Sequence, residues 1–584
     1  MVKILRYLRK REIGFVIISI VLICTQVWLD LKLPDMMNRV VRLLMIPSGD
    51  NVREILKSGG KMLACALSSM ALAMCVGYFA ARVAGGMSKR LRSLIFDKVG
   101  NFSMEEINNF STSSLITRST NDVTQVQMLI AIGMQVLIKA PITAVWAITK
   151  MSAKQWQWTA SAAVAVVLMI IMFTFMIVFA LPKFRSIQGL TDNLNRVARE
   201  NLTGIRVVRA YNAENYQQER FDTANRELTG THLYTSRLMA LMSPFMTVIM
   251  SGLPFAVYWI GAHLVNNTSD IKVKGELMGN MMVFTSYAMQ TVMAFMMLMI
   301  IFVILPRTIV SAKRINEVLD TTPNIISGKH KSADLSGEVE FKNVSFAFPD
   351  AEEYVLKDIS FKANKGEVVA LIGSTGSGKS TAVNLIPRFY DATKGEILVN
   401  GINVKDYDTE ALNDKIGFIT QQAVIFSGTV RSNVDYGGNC GSDEEIWKAL
   451  DIAQAKNFVE NLPEKLDAPI SQGGTNLSGG QKQRISIARA ICKKPEIYIF
   501  DDSFSALDYK TDRILRTRLA EETKGATKLI VAQRIGTIKD ADKIIVLDEG
   551  EIVGIGKYRD LLKSCEVFKE IALSQLSEEE LENE

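Results

Sequence analysis

Eight consecutive residues, Gly373-Ser374-Thr375-Gly376-Ser377-Gly378-Lys379-Ser380, have the types and spacing of a loop that cradles phosphate. Glycines let the backbone turn its N–H groups towards an anion, a lysine reaches β- and γ-phosphates, and a serine hydroxyl suits Mg²⁺. Further on, Ser478 and the amides of Gly479 and Gly480, within Leu477-Ser478-Gly479-Gly480-Gln481, stand at a helix start and offer a second set of phosphate donors. Ile497-Tyr498-Ile499-Phe500-Asp501 reads as an apolar strand ending in a carboxylate on the magnesium side.

These groups need a scaffold, and the flanking residues describe one. Val368-Val369-Ala370-Leu371-Ile372 is a continuous apolar strand running straight into the glycine loop, and Ser380 and Thr381 open a helical run carrying Ala382, Val383 and Leu385. Strand, glycine loop, helix is the context the phosphate motif demands. Short β-rich runs alternating with helical patterns extend this into an α/β domain over residues 336–584. A linker over 321–335, with Pro323, Gly328 and the basic cluster Lys329-His330-Lys331, precedes it.

Residues 1–320 are different. A membrane-spanning helix takes about 20 mostly apolar residues, and six stretches approach or exceed that: Ile13–Leu29, Met62–Ala81, Met128–Thr149, Trp158–Leu181, Leu238–Leu264 and Leu277–Leu305. The first resumes past Asp30, Lys32 and Pro34, so one long helix is expected whose second part faces protein or water. No small-residue cleavage site follows it, so it is not expected to be a cleaved signal. Basic flanks (Lys3 to Arg11; Lys89, Arg90, Arg92; Lys183, Arg185; Arg307, Lys313, Arg314) put the N-terminus and the α/β domain on the cytoplasmic side of the plasma (inner) membrane. Arg39, Arg42, Arg53 and Lys57, accompanied by Asp50 and Glu54, run against that orientation.

The links between spans two and three and between four and five are long and polar, Arg82 to Gln127 and Pro182 to Arg237. Both keep helix-forming composition, so the membrane helices should continue far beyond the bilayer. Each contains a break, at Asn108–Asn121 and at Asn201–Asn215 with its Gly204, where short helices at the tips are expected. The sixth span carries Met278, Met281, Met282, Met289, Met293, Met296, Met297 and Met299, with Gln290 among them. Two readings stand for these thioethers: the lining of a cavity for varied apolar ligands, or packing filler. A net charge of +6 gives no support to a nucleic-acid partner. The six cysteines show no metal-ligand spacing and read as reduced, structural thiols.

With the phosphate loop, Leu477 to Gln481 and Asp501 in this order behind six spans, the chain resembles the ATP-binding cassette exporters, as a half-transporter, over nearly its whole length. The resemblance implies an all-α polytopic membrane domain, six transmembrane helices with long cytoplasmic extensions, followed by an α/β P-loop ATP-binding cassette domain. It implies ATP with Mg²⁺, held between the phosphate loop of one chain and the signature of another. Gln421, in Phe418-Ile419-Thr420-Gln421, matches the glutamine that touches Mg²⁺ or water. Phe348 matches the adenine-stacking aromatic, with Tyr354 as the other candidate, and Asp508 matches the aspartate of the loop crossing the dimer interface. Arg118 with Asp122, and Gly204 to Tyr211, match the tips that dock on the nucleotide-binding domains. Ser471-Gln472 departs from the acidic-then-basic pair that exporters often carry before the signature.

Two further departures bear on catalysis. Asp502 stands where the family pattern has the water-activating Glu, and Gln533 stands where it has His. Asp is one methylene shorter, which draws the carboxylate back by roughly 1.5 Å, and glutamine donates a hydrogen bond without the charge available to histidine. With every phosphate and magnesium contact retained, the pattern resembles the weakly hydrolysing subunit of a heterodimeric multidrug-type exporter. The implied partner is a homologous half-transporter with Glu and His at these positions, and the implied cargo a small hydrophobic or amphipathic compound crossing the lipid bilayer. A lipid flippase, a homodimeric exporter and an ATP-gated channel or regulator are the alternatives.

Overall fold

Each apolar run of the first half lies within one continuous helix of the computed structural model, which describes residues 2–45, 51–152, 154–331, 336–349, 351–438 and 440–576. After a short helical turn at Val2–Leu5 come α1 (Lys10–Met45), α2 (Asn51–Gly100), the short α3 (Met104–Phe110), α4 (Val123–Ser152), α5 (Trp156–Thr203), the short α6 (Ile205–Ala210), α7 (Glu214–Asn266) and α8 (Ile271–Asp320). Among the described residues, six helices are long and apolar enough to cross a membrane. At 53 residues α7 is the longest, about 80 Å at 1.5 Å per residue against a hydrocarbon core of about 30 Å. The long helices therefore run well past a bilayer, as the unbroken helical composition of their polar parts requires.

Asp30, Asp35 and Arg42 of α1 are paired from neighbouring helices, and Lys32 from a ring of α1 itself. Asp30 takes a hydrogen bond from the Ser69 hydroxyl at 2.5 Å and an ion pair from Lys139 at 3.2 Å, while Lys32 sits over the Trp28 ring. Asp35 accepts from the Tyr287 hydroxyl at 2.6 Å and pairs with Lys150 at 3.1 Å. Arg42, which ran against the expected orientation, is paired with Glu276 at 2.8 Å; Asp50 lies outside the described residues. α1 and α8 approach so closely at Gly279 that a Cβ there would meet the Asn38 side-chain oxygen at 2.2 Å. A ladder of polar partners on α2, α4 and α8 thus accounts for a membrane helix that carries Asp and Lys in its second half.

The chain divides into two compact units, Met1–Lys98 with Ser113–Thr321, and Val99–Thr112 with Thr322–Glu584. The short α3 therefore belongs with the second unit although it sits between two membrane helices in sequence. Ser103 and Glu106 close a capping box at its start, and Glu106 also accepts from the Asn324 amide at 2.9 Å. Burial alone would raise the Glu106 carboxyl, but the Ser103 hydroxyl and the amides of Asn324 and Ser103 hold it below its ordinary value. Arg118 and Asp122, which the family resemblance matches to a docking tip, are bound to α8 within the first unit. Arg118 pairs with Glu317 at 2.8 Å, and Asp122 accepts from the Ser311 hydroxyl at 2.6 Å.

In the second unit, β1 (Val339–Phe346), β2 (Leu356–Ala363) and β4 (Lys394–Val399) form an antiparallel sheet with a short fourth strand. The other sheet holds β3 (Val368–Gly373), β5 (Ile416–Ile419), β6 (Ile497–Asp501), β7 (Thr527–Val531), β8 (Lys543–Asp548) and β9 (Glu551–Gly556). Its order is β9-β8-β3-β7-β6-β5, parallel from β8 to β5. Its central strand β3 is apolar throughout because both faces are covered: Ala370 and Ile372 enter one core while Val369 and Leu371 enter the other.

One expectation about the cysteines is corrected. Cys440 and Cys492 are joined as a disulfide with their Cα atoms 5.6 Å apart, and Asp435 lies beside them. Fifty-two residues separate the pair in sequence, so no local spacing could announce it.

Candidate functional site

The chemistry-bearing residues converge because they leave the same edge of the parallel sheet. β3 ends at Gly373 and feeds the glycine loop, β5 ends two residues before Gln421, β6 ends at Asp501, and β7 ends two residues before Gln533. Carboxyl ends of adjacent parallel strands are where such a sheet presents groups to a ligand.

Within the loop, Gly376 and Gly378 hold φ of +91° and +93°, and a Cβ on Gly376 would meet nothing within 4 Å. A left-handed backbone and open space beside it suit a loop whose amides face an anion. Helix α9 (Lys379–Leu385) starts directly behind it. Lys379 is buried, and its ammonium donates to the carbonyls of Gly373 at 2.9 Å and Ser374 at 2.6 Å and to the Ser377 hydroxyl at 3.2 Å. Desolvation lowers its pKa, opposed by the charges of Asp502 and Asp501. The Ser380 hydroxyl donates to Asp501 at 2.6 Å, so the two oxygens suited to Mg²⁺ already lie side by side. Burial raises the Asp501 carboxyl, with the Ser380 hydrogen bond pulling the other way. A lysine with no carboxylate in contact among the described residues, two adjacent oxygen ligands and a glycine cradle together fit a magnesium–nucleotide phosphate chain.

The corner that would activate water is arranged differently. Asp502 has φ +45°, a left-handed conformation that Asp tolerates better than most residues. One of its carboxylate oxygens, Oδ2, accepts from the Gln421 side-chain amide at 3.3 Å and from the Gln533 side-chain amide at 3.1 Å. Burial raises its pKa, and the Gln421 hydrogen bond opposes that rise. Gln575, near the end of the described chain, fixes the segment bearing Gln533: its amide donates to the Gln533 carbonyl at 2.7 Å and its oxygen accepts from the Ile535 amide at 2.9 Å. Sequence reasoning missed Gln575, which carries no motif and lies 42 residues from its partner.

The signature residues cap a helix of their own. Ser478 is the N-cap of α10 (Gly479–Lys493), its side chain accepting from the Gln481 amide at 3.3 Å while Gln481 accepts from the Ser478 amide at 2.8 Å. Gly479 and Gly480 follow, and a Cβ on Gly479 would meet nothing within 4 Å. Asp508 caps α11 (Tyr509–Glu522), and its carboxyl is held down by its hydrogen bonds to Thr511. Phe348 is more than a third exposed and stands edge-on to Phe346 and Tyr390, whereas Tyr354 lies under the Lys394 ammonium at 5.2 Å. The exposure of Phe348 keeps it as the stacking candidate. Ser471 takes part in a local turn closed by Asn476.

Six long membrane helices followed by a parallel α/β sheet with a phosphate loop define one half of an exporter powered by nucleotide. The family comparisons agree. Residues 16–317 match the ABC transporter transmembrane region and residues 356–505 match the ABC transporter family proper, and the chain belongs to the ABC transporters, with ATP hydrolysis coupled to transport. An uncharacterized ABC transporter ATP-binding protein of Mycobacterium tuberculosis is 38% identical over 91% of this chain and 90% of its own length. The ATP-dependent lipid A-core flippase of Pseudomonas fluorescens is 33% identical over 83% and 80%. A multidrug resistance ABC transporter ATP-binding and permease protein of Lactococcus lactis is 31% identical over 99% and 95%. The fold matches a bacterial Atm1-family ABC exporter with ATP bound at a TM-score of 0.79, 21% identity, and coverage of 97% of this chain and all of that one.

Proposed function

We propose that this chain is the weakly hydrolysing half of a heterodimeric exporter for hydrophobic or amphipathic compounds. Residues 1–320 form the membrane domain, 321–335 the linker and 336–584 the nucleotide-binding domain, with the N-terminus and that domain cytoplasmic. The loop from Gly373 to Ser380, with Thr381 behind it, holds the ATP phosphates, Lys379 reaches β- and γ-oxygens, and Ser380, Asp501 and Gln421 hold Mg²⁺. Phe348 stacks on adenine. Ser478, Gly479, Gly480 and Gln481 complete the partner's site, with Asp508 at the seam. Bound ATP supplies the phosphoanhydride bond whose cleavage drives the cycle.

The observation that carries this reading is the state of Asp502. Its one-methylene deficit leaves the carboxylate short of the water a Glu would reach, and both neighbouring amides donate to the same Oδ2. A misplacement of about 1 Å costs on the order of a hundredfold in rate. The partner half-transporter therefore brings Glu and His at the positions of Asp502 and Gln533. On α8, Met278, Met282, Met293 and Met297 are exposed while Met281 is buried; the exposed four share one helix face and supply an adaptable apolar surface for cargo. A lipid flippase is the second reading, favoured by the 33% identity to the lipid A-core flippase.

ATP turnover of the purified chain alone, set against the chain isolated from its host membrane with the half-transporter that accompanies it, tests the proposal. Turnover at least about tenfold faster in the complex is expected. Equal, brisk turnover by the chain alone overturns the unequal-site reading.

A further inference from the structure

The arm that carries the signature also carries chemistry that the transport cycle does not use. Cys492 lies at the far end of α10 from Ser478, and Cys440 follows α-helical residues Val430–Val434 in the segment downstream of Gln421. Their Cα separation of 5.6 Å falls where a bridge closes without moving the backbone. Cys492 is buried, and Cys440 is half-buried and within reach of a small reagent. The Cys440 amide donates to Asp435 at 2.8 Å, which holds that turn in place.

The same two segments are also held by contacts that are not covalent. Arg489, one turn before Cys492, donates to the carbonyls of Asn433 at 2.8 Å and Val424 at 2.9 Å and lies over the rings of Phe426 and Tyr436. Such contacts can slip and re-form as α10 shifts, but a covalent bridge cannot. A stiff helix then transmits a restraint at Cys492 to the signature at its other end.

We infer that Cys440 and Cys492 form a reversible modification site for small disulfides, and that closing it restrains the signature helix and slows ATP turnover. Disulfides that persist are rare in a reducing cytoplasm, where such pairs serve as transient, redox-sensing groups. The Cys440 thiolate attacks one sulfur of the small disulfide and expels a thiolate. Cys492 gives up its proton, its sulfur attacks the Cys440 sulfur, and the second small thiolate leaves. Two protein thiols are oxidised to one bond, and one small disulfide is reduced to two thiols.

The test uses the full chain with its accompanying half-transporter, reduced and then exposed to glutathione disulfide. Alkylation and mass spectrometry should show a linked peptide pair containing Cys440 and Cys492. ATP turnover should fall roughly fivefold or more and return with dithiothreitol. Cys440→Ser should keep the basal rate and lose the response, and Cys492→Ala should behave alike. Hydrogen exchange of residues 478–493 in the chain alone should slow on oxidation, a readout independent of which site hydrolyses ATP. The inference fails if the two thiols stay alkylatable, if the bridge forms with turnover and exchange unchanged, or if Cys440→Ser is slowed as much as the wild type. It also fails if the reduced chain binds zinc at this pair and thereby resists the disulfide.

Discussion

Lys379 and Asp502 leave the same edge of one sheet, behind β3 and β6 with β7 between them, and both are buried charges. Lys379 is spread over three oxygens of its own loop at 2.6 to 3.2 Å, each of which a phosphate oxygen can replace. Asp502 instead has one oxygen held by two glutamine amides, and no longer side chain is present to extend it towards a nucleophile. Holding phosphate depends on backbone amides and one cation, and it survives changes nearby. Activating water depends on the position of a single carboxylate to within about an ångström. One sheet edge can therefore keep the first ability and lose the second.

The largest test of that contrast is Lys379→Ala. If the phosphate side is intact as proposed, removing its cation should weaken ATP binding by roughly 10- to 150-fold, the range for hydrogen bonds to a charged group, read by calorimetric titration. An affinity within twofold of wild type would show that the cradle does not depend on this lysine and would dissolve the contrast.

Asp502→Glu addresses the other corner. Restoring the methylene should raise phosphate release by this chain roughly 10- to 100-fold with ATP affinity unchanged. The left-handed backbone at this residue suits Asp better than Glu, so a small loss of thermal stability should accompany the gain. Unchanged turnover would count against the missing methylene as the cause of the proposed weak hydrolysis, with Gln533→His the next substitution to test.

Local signals marked the strand, loop and helix around Gly373 to Ser380 fully and the other parts less well. The run from Val368 to Ser380 announces strand, loop and helix in consecutive residues, and the helix lengths follow from apolar runs continued by helix-forming polar ones. Arg118 and Asp122 match a docking tip only through the family resemblance, and no local signal names what they bind. Their partners, Glu317 and Ser311, lie nearly two hundred residues away, and nothing in the local pattern encodes such a distance. The Cys440–Cys492 bridge and the Gln575 brace escaped for the same reason: each is a pairing between distant residues that no local pattern encodes.

Gln575→Ala makes the smallest and sharpest cut. Its side chain bonds twice to the segment of Gln533 and Ile535, and it is not part of the phosphate cradle. Deleting it should lower stability by about 1 to 3 kcal/mol, the sum of two net hydrogen bonds of about 0.5–1.5 kcal/mol each, seen as a lower midpoint in thermal or denaturant unfolding. Because the brace acts on the Gln533 corner, it should alter phosphate release while leaving ATP affinity as it was. If affinity fell in step with turnover, the two corners would be mechanically one, and the proposed separate loss of water activation would no longer follow from their geometry.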